Sequence, residues 1–373
     1  MSNVDSKEKK IPNVPNLRFS ESSYLCCELK EVAVYRNKTS INIKRKYIST
    51  ENLIQNFNGF SSYESDEFVK GVTFIKGDVL LGNIRPYLKK TLYAPFDGCC
   101  STDVLVLEPK KINGLYLYYL ISNDNFINYV METCKGSKMP RGDKKWILSK
   151  NISIPSPGEQ NKVAIFLESI DSRIKTQNKI IEDLKCVEKS LTNQLFDKFD
   201  GENKIKFLDL FVEYKELNYK NLPQFTIGKY GIKEMDQSDL YSRDKHIVFN
   251  KNSLILGIGI EECGVSLNFV GSCSPIYKTY SINNNLISTY FADIFIKSYL
   301  EDKKRFITQK STRREFEIKY SDLNNIFFNV PSLEKQALYS SMVISIRNKI
   351  QNELKIKQRY ETQKSYLLQN LFI

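Results

Sequence analysis

The chain has 373 residues, enough for two domains with separate cores, and its 41% apolar and 26% charged content is that of a globular protein. Its 55 lysines and arginines outnumber 43 acidic residues, a net charge of +12 that suits a polyanionic partner without requiring one. No run of eighteen apolar residues occurs and the opening MSNVDSKEKK has no apolar stretch, so neither a transmembrane helix nor a signal peptide is expected, and the expected location is cytoplasmic.

Along the chain, short β-branched and aromatic runs come first: ELKEVAVYR at 28–36, GVTFIKGDVLLGNI at 71–84 and STDVLVLEP at 101–109. A helical stretch, GLYLYYLISNDNFINYVMETC, follows at 114–134. Strands and helices do not alternate regularly, so the segment reads as α+β. Two basic loops punctuate it. NIRPYLKK, beyond a strand end, offers Arg85, Tyr87, Lys89 and Lys90. GSKMPRGDKKW offers Lys138, Arg141, Lys144 and Lys145. Arginine can fork onto guanine or a phosphate, and lysine can meet a phosphate. The plainer reading of each of these cations is a solubilising surface charge.

From Pro155 to Phe196 the sequence PSPGEQNKVAIFLESIDSRIKTQNKIIEDLKCVEKSLTNQLF reads as one helix. Proline suits its first turn, where no N–H partner is needed. Val163, Leu167, Ile170, Ile174, Gln177, Ile181, Leu184, Glu188, Leu191 and Leu195 recur at alternating steps of four and three. This is a mainly apolar seam of coiled-coil period. About forty residues at about 1.5 Å each span about 60 Å, too long for one small domain to cover. The polar stretch DKFDGENKIKF then reads as a linker.

A second globular segment begins near residue 199. FNKNSLILGIGIEECGVSLNFVGSCSPIYKTYSI at 249–282 has the order of FIKGDVLLGNIRPYLKKTLYAPFDGCCSTDVLVL at 74–107, with GCCS at 98–101 matched by GSCS at 271–274. YFADIFIKSYLEDKKRF at 290–306 takes the helix position. YSRDKH contributes Arg243 and Lys245, and QKSTRREFEIK contributes Lys310, Arg313 and Arg314 just before a second long helix. When Pro155 is laid on Pro331, the two helices align without a gap: Gln160 meets Gln336, Ile174 meets Ile350, and Leu195-Phe196 meets Leu371-Phe372. Roughly a quarter of the pairs are identical, as expected of a duplication. The second seam runs through Val343, Ile346, Ile350, Tyr360, Leu367 and Leu371 and falters at Glu353, Lys357 and Lys364. Each seam needs a partner, and the other copy is the nearest candidate.

Chemistry is scarce. No Asn/Asp-Pro-Pro-aromatic loop or P-loop occurs, and LGIGIEECG at 256–264 places its third glycine too late for a dinucleotide fingerprint, so it reads as a turn. Glu317 to Lys319 matches only the tail of a nuclease motif. The eight cysteines form no C-x-x-C and the single histidine is His246, so buried reduced thiols are a better reading than zinc. No catalytic residue, metal or cofactor is expected.

At this point the chain resembles the specificity subunits of type I restriction–modification enzymes. The residues that carry the resemblance are PNLRF at 15–19, GDVLLGNIRPYLKK at 77–90 followed by CCSTDVLV, GSCSPIY at 271–277, and the paired IPSPGEQNKVAIFLESIDSRI-type helices with QLF at 194–196. One departure is local: Glu159-Gln160 opens the first helix, whereas the second reads Glu334-Lys335-Gln336. The resemblance implies two mixed α/β target-recognition domains, at 1–154 and 199–329, separated by two long helical regions, at 155–198 and 330–373. Those regions would form an antiparallel coiled coil with an internal pseudo-two-fold repeat. It further implies a non-catalytic subunit that reads a bipartite target on double-stranded DNA. Its partners would be two methyltransferase subunits and restriction/translocase subunits, with no membrane. The competing reading is a non-catalytic coiled-coil adaptor that does not bind DNA.

Overall fold

A computed structural model describes residues 15–18, 23–40, 46–63, 70–134, 138–199, 203–218, 222–228, 231–236, 246–312 and 315–372. Its internal contacts divide the chain into two units, residues 1–178 with 355–373 and residues 179–354, so that each long helix contributes one portion to each unit.

The first unit opens with β1 (Leu25–Glu28), β2 (Ala33–Tyr35), β3 (Thr39–Ser40), β4 (Lys46–Ile48) and β5 (Gly71–Phe74). It continues through β6 (Val79–Gly82), β7 (Thr91–Tyr93), β8 (Gly98–Cys100) and β9 (Val104–Pro109). Then come α1 (Gly114–Ile121), α2 (Asp124–Met131), α3 (Lys144–Leu148), β10 (Asn151–Ile154) and the long α4 (Pro157–Asp197). One antiparallel sheet has the order β2-β9-β6-β7, and a second has the order β3-β5-β8-β4 with β4 parallel to β8. The apolar runs of β6 and β9 are continuous because both faces are covered. Val79, Leu81, Leu105 and Leu107 join the core that holds α1 and α2, while Leu80, Val104 and Val106 join Ile48, Phe74 and Cys100 of the second sheet. That is the period-two partition of a strand. The helical stretch expected at 114–134 breaks in two. Asn123 caps α2 by accepting from the Phe126 N–H, and the Ser122 hydroxyl bonds that of Thr91 at 2.7 Å.

The second unit repeats this plan. Its elements are β11 (Asn203–Lys206), α5 (Phe207–Leu210), β12 (Phe211–Tyr214), β13 (Glu216–Asn218), β14 (Gln224–Gly228), β15 (Gly231–Glu234), β16 (His246–Phe249) and β17 (Ser253–Leu256). After them run β18 (Cys263–Val265), β19 (Gly271–Cys273), β20 (Lys278–Ile282), α6 (Thr289–Ile307), β21 (Thr308–Gln309), β22 (Glu317–Ile318), α7 (Tyr320–Leu323), β23 (Phe327–Val330) and α8 (Leu333–Leu371). The sheet β12-β20-β17-β18 matches β2-β9-β6-β7. The sheet β13-β16-β19-β14-β15 matches β3-β5-β8-β4 with one strand added, and its β14 is parallel to β19 as β4 is to β8. Leu254 and Leu256 face the α6 core while Ile255 faces the second sheet. In each unit the strand that enters the module pairs antiparallel with the strand that leaves it for the long helix, β1 with β10 and β11 with β23.

The shared Gly-x-Cys-Ser turns have a steric cause. A Cβ on Gly98 would lie 2.6 Å from the Phe74 ring, and one on Gly271 would lie 2.7 Å from the Phe249 ring. Only glycine lets β8 and β19 pass beneath those aromatics.

A repeated glutamine docks each long helix on its module. Gln160 donates to the Pro155 carbonyl at 2.9 Å and accepts from the N–H of Asn113, the N-cap of α1, at 2.9 Å. Gln336 donates to the Pro331 carbonyl at 2.8 Å and accepts from the N–H of Ser288, the N-cap of α6, at 2.7 Å. Both glutamines are buried. The displaced acid of the second copy leaves this lock intact. What differs is that Glu159 accepts from the Tyr24 hydroxyl at 3.3 Å, whereas Glu334 is exposed.

Within the first unit, the start of α4 and the end of α8 run antiparallel. Val163, Ala164 and Leu167 share a core with Leu368, Leu371 and Phe372, and Asp171 pairs with Lys364 at 2.6 Å. Within the second unit, the end of α4 runs against the start of α8. Leu195 shares a core with Val343, and Glu188 pairs with Arg347 at 2.6 Å. Of the expected seam residues, Val163, Leu167, Ile170, Ile181, Leu195, Val343, Ile350 and Leu371 are buried, and Ile174, Leu184, Leu191, Ile346, Tyr360 and Leu367 are half-buried. Glu353, Lys357 and Lys364, where the second seam falters, stay half-buried in the same stripe.

Candidate nucleic-acid interface

The first unit joins two basic loops that lie far apart in sequence. Past β6 the chain turns sharply, with Arg85 (φ 50°) and Lys89 (φ 55°) in the left-handed region on either side of the turn Pro86–Leu88. Two such residues in one short loop cost free energy that surrounding contacts must offset. The contacts come from the second loop. The Arg85 N–H donates to the Pro140 carbonyl at 2.8 Å, and Ile84 forms a β-bridge with Arg141. The Arg141 guanidinium donates to Asp103 at 3.2 Å, and the Asp103 carbonyl accepts from the Asn83 N–H at 2.8 Å. Gly142 sits against Val130 and Asn83, where a side chain would collide. The result is one platform built from residues 83–90 and 138–145.

On this platform the sequence-predicted cations divide into two groups. Lys89 pairs with Asp124 at 2.7 Å, Lys90 donates to the Thr50 carbonyl and Arg141 is held by Asp103. These three brace the loops. Arg85, Lys138, Lys144 and Lys145 are exposed, and none of them forms an ion pair among the described residues. Tyr87 and Met139 stand beside them with 48% of each exposed, an apolar surface at the edge of a cationic one. Such a surface can neutralise phosphates and offer flat or flexible contacts to base edges.

The second unit builds the matching loop differently. Beyond β17, the Gly257 N–H donates to the Glu262 carbonyl at 2.6 Å, and the Glu262 carboxylate accepts from the N–H groups of Ile258 and Gly259 at 3.0 and 3.2 Å. This is the turn expected from LGIGIEECG. The Ile258 carbonyl accepts from the Ile318 N–H at 2.7 Å, as Ile84 bridges Arg141 in the first unit. Glu261 and Glu262 thus stand where the first loop carries Tyr87 and its neighbours. With Glu301, Lys304, Glu315 and Phe316 they line a cleft of about 540 Å³. Lys304 is bound there by Glu301 at 3.1 Å and covers the Phe316 ring at 4.1 Å. Lys310 is exposed, and Arg243, Lys245, Arg313 and Arg314 lie outside the described residues.

The residue-level reading placed Glu188 and Lys364 on the seam but missed Asp171 and Arg347 beside it, and with them the pairing of all four. The Tyr119 hydroxyl donates to Asp171 at 2.8 Å, which also holds Lys364. Burial, and then the Asp171 carboxylate, push the Tyr119 hydroxyl well up, so it stays a donor. In the second unit Arg347 bridges Glu188 and Asp293, the latter at 3.0 Å. Burial raises the Asp293 carboxyl while Arg347 draws it down. Overlaying the two helices would have exposed these positions, because their charge reverses between copies. Among the described residues no group of three or more His, Cys, Asp and Glu could hold a metal. The eight cysteines form no disulfide, and no described helix is long and apolar enough to cross a membrane.

Comparison with known proteins places this architecture. Residues 26–186 match the type I restriction modification DNA specificity domain. Over 206 residues, 52% of this chain, it is 24% identical to the type I restriction enzyme EcoDI specificity subunit of Escherichia coli, of which 44% is covered. Over 141 residues, 36% of the chain, it is 30% identical to the MjaVIII specificity subunit of Methanocaldococcus jannaschii, of which 32% is covered. The chain thus spans less than half the length of the curated relatives it matches. The fold likeness runs further. It covers 97% of this chain and 99% of the S subunit of a type I restriction–modification system from M. genitalium, with a TM-score of 0.58 at 12% identity. It also covers 93% of this chain and 96% of a chain solved in work on assembly and conformational transition of the type I R-M system, with a TM-score of 0.59 at 16% identity. Residues 26–186 thus match the type I restriction modification DNA specificity domain in sequence, and the duplicated module-and-helix plan has the fold of solved S subunits of type I restriction–modification systems.

Proposed function

We propose that this chain is the non-catalytic DNA-recognition subunit of a cytoplasmic type I restriction–modification complex. It reads a bipartite target, one half with each module, and carries two methyltransferase subunits and the restriction/translocase subunits. The observation that supports this most is the duplication: two modules of one strand order, each locked by a buried glutamine to its own long helix. A molecule that presents one plan twice suits two half-sites and two copies of a partner. Residues 1–154 and 199–329 act as the target-recognition domains. Residues 155–198 and 330–373 act as the helical regions that space them.

In the first module Arg85, Lys138, Lys144 and Lys145 meet phosphates, and Tyr87 reads a base edge. Lys89, Lys90 and Arg141 shape the loops that present them. In the second module Lys310, Arg243, Lys245, Arg313 and Arg314 are the candidate contacts. The two curated relatives described above are both specificity subunits and give the adaptor reading no support. The test is a genome-wide map of methylated adenines in cells with and without this gene. Loss of methylation at one bipartite sequence on deletion supports the proposal. An unchanged map refutes it.

A further inference from the structure

The two long helices carry a charge reversal that the duplication by itself does not require. Laying α4 on α8 puts Asp171 on Arg347 and Glu188 on Lys364. At both positions the first copy is acidic and the second basic. The structure pairs them crosswise: Asp171 of α4 with Lys364 of α8, and Glu188 of α4 with Arg347 of α8, each at 2.6 Å. Each pair also holds a third group from its own module. Tyr119 donates to Asp171 at 2.8 Å, and Asp293 accepts from Arg347 at 3.0 Å. Asp171 and Arg347 lie beside the seam and Glu188 and Lys364 interrupt it, and such flanking or interrupting charges set partner choice and orientation in coiled coils.

Because the copies are equivalent in fold, the first module-and-helix could in principle pair with the same half of a second molecule. In that arrangement Glu188 of the second copy would take the place of Lys364, facing Asp171, and Asp171 of the second copy would take the place of Arg347, facing Glu188. Two attractive pairs become two repulsive ones, each against a half-buried partner. We infer that the Asp171 and Glu188 carboxylates bar the first repeat from pairing with a second copy of itself, and so direct α4 to α8. The bar belongs to the first repeat. In α8, Glu353 and Lys357 sit on the same stripe and would face each other across a self-pair, offsetting the clash of Arg347 with Lys364. This inference concerns pairing of the helices and stands whether or not the modules read DNA.

The test uses the full chain with a protease site inserted after Gly201. The folded protein is cleaved in place. Light and isotopically heavy samples are then mixed, unfolded, refolded and examined by native mass spectrometry. The wild type is expected to return pairs of first with second fragment, with few pairs of first fragments. The double variant Asp171→Lys with Lys364→Asp keeps both crosswise pairs attractive but removes the bar, and is expected to raise first-fragment pairs by about tenfold. Asp171→Asn keeps an acceptor for Tyr119 and is expected to raise them by a smaller factor. Retention of mixed pairs shows that a variant folds. If the double variant no longer forms mixed pairs, Asp171→Asn alone decides. First-fragment pairs as frequent as mixed pairs in the wild type, or unchanged in the deciding variant, would overturn the inference.

Discussion

Single side chains hold each module to its helix. Gln336 satisfies the Pro331 and Leu286 carbonyls and the Ser288 N–H at once. Gln336→Leu strands all three and is expected to cost about 1–3 kcal/mol, read as a lower melting temperature. Gln160→Leu should do the same in the first unit. An unchanged melting temperature in both variants would remove the glutamine from the account. Arg347 allows a pH test. Burial already raises the Asp293 carboxyl above its ordinary range, and Arg347→Met removes the cation that opposes this. The lost stability is then present above the raised native pKa and fades as pH falls toward about 3.9, the unfolded value, because protonation removes the buried charge. The side chains of Arg347 and Asp293 are 41% and 24% exposed, so the loss at pH 7.5 should be about 1–2 kcal/mol rather than that of a fully buried pair. It should shrink at pH 5. An equal deficit at both pH values would place the cost in lost packing. Sequence reading found Gln160 and Gln336 as matched letters but not their partners, because Asn113 and Ser288 lie nearly fifty residues away and nothing local announces the contact.

Helices and loops differ in how far the sequence discloses them. The long helices were legible because a three-four spacing held over forty residues leaves little choice of period. Their depth was less legible: Leu167 is wholly buried, whereas Ile174, on the same seam, is half-buried. Leu167→Ala should therefore cost about 2–4 kcal/mol in chemical denaturation, and Ile174→Ala about 1 kcal/mol. Equal losses would show that the seam is uniform. The described strands are two to six residues long and many are buried on both faces, so neither their order nor the parallel β4–β8 pair could be read from alternation. The first basic platform was legible as two loops but not as one, since the bridge of Ile84 to Arg141 is a long-range pairing. In binding to duplex DNA with methyltransferase subunits added, Lys138→Ala and Lys144→Ala should each reduce the salt dependence by about one unit, without changing sequence preference. Arg141→Ala should loosen the loop and alter preference instead. Loss of affinity at an unaltered salt slope in the lysine variants would point to folding, not phosphate contact.

For the whole molecule the account makes the two helical regions a spacer and the two modules independent readers. Four residues inserted after Lys179 add about one helical turn and about 6 Å, at most about two base pairs of B-DNA. The insertion should lengthen the gap in the methylated target by one or two base pairs and leave both half-sites unchanged, whereas methylation confined to the original spacing would deny the helices that role. Modularity follows from what each unit contains: its own sheets, its own core and its own glutamine lock. The most direct measurement is an adenine-methylation map of cells in which residues 15–154 are replaced by the corresponding module of a relative. The account predicts that one half of the target changes while the other half and the spacing persist. A change in both halves together, or in neither, would contradict it.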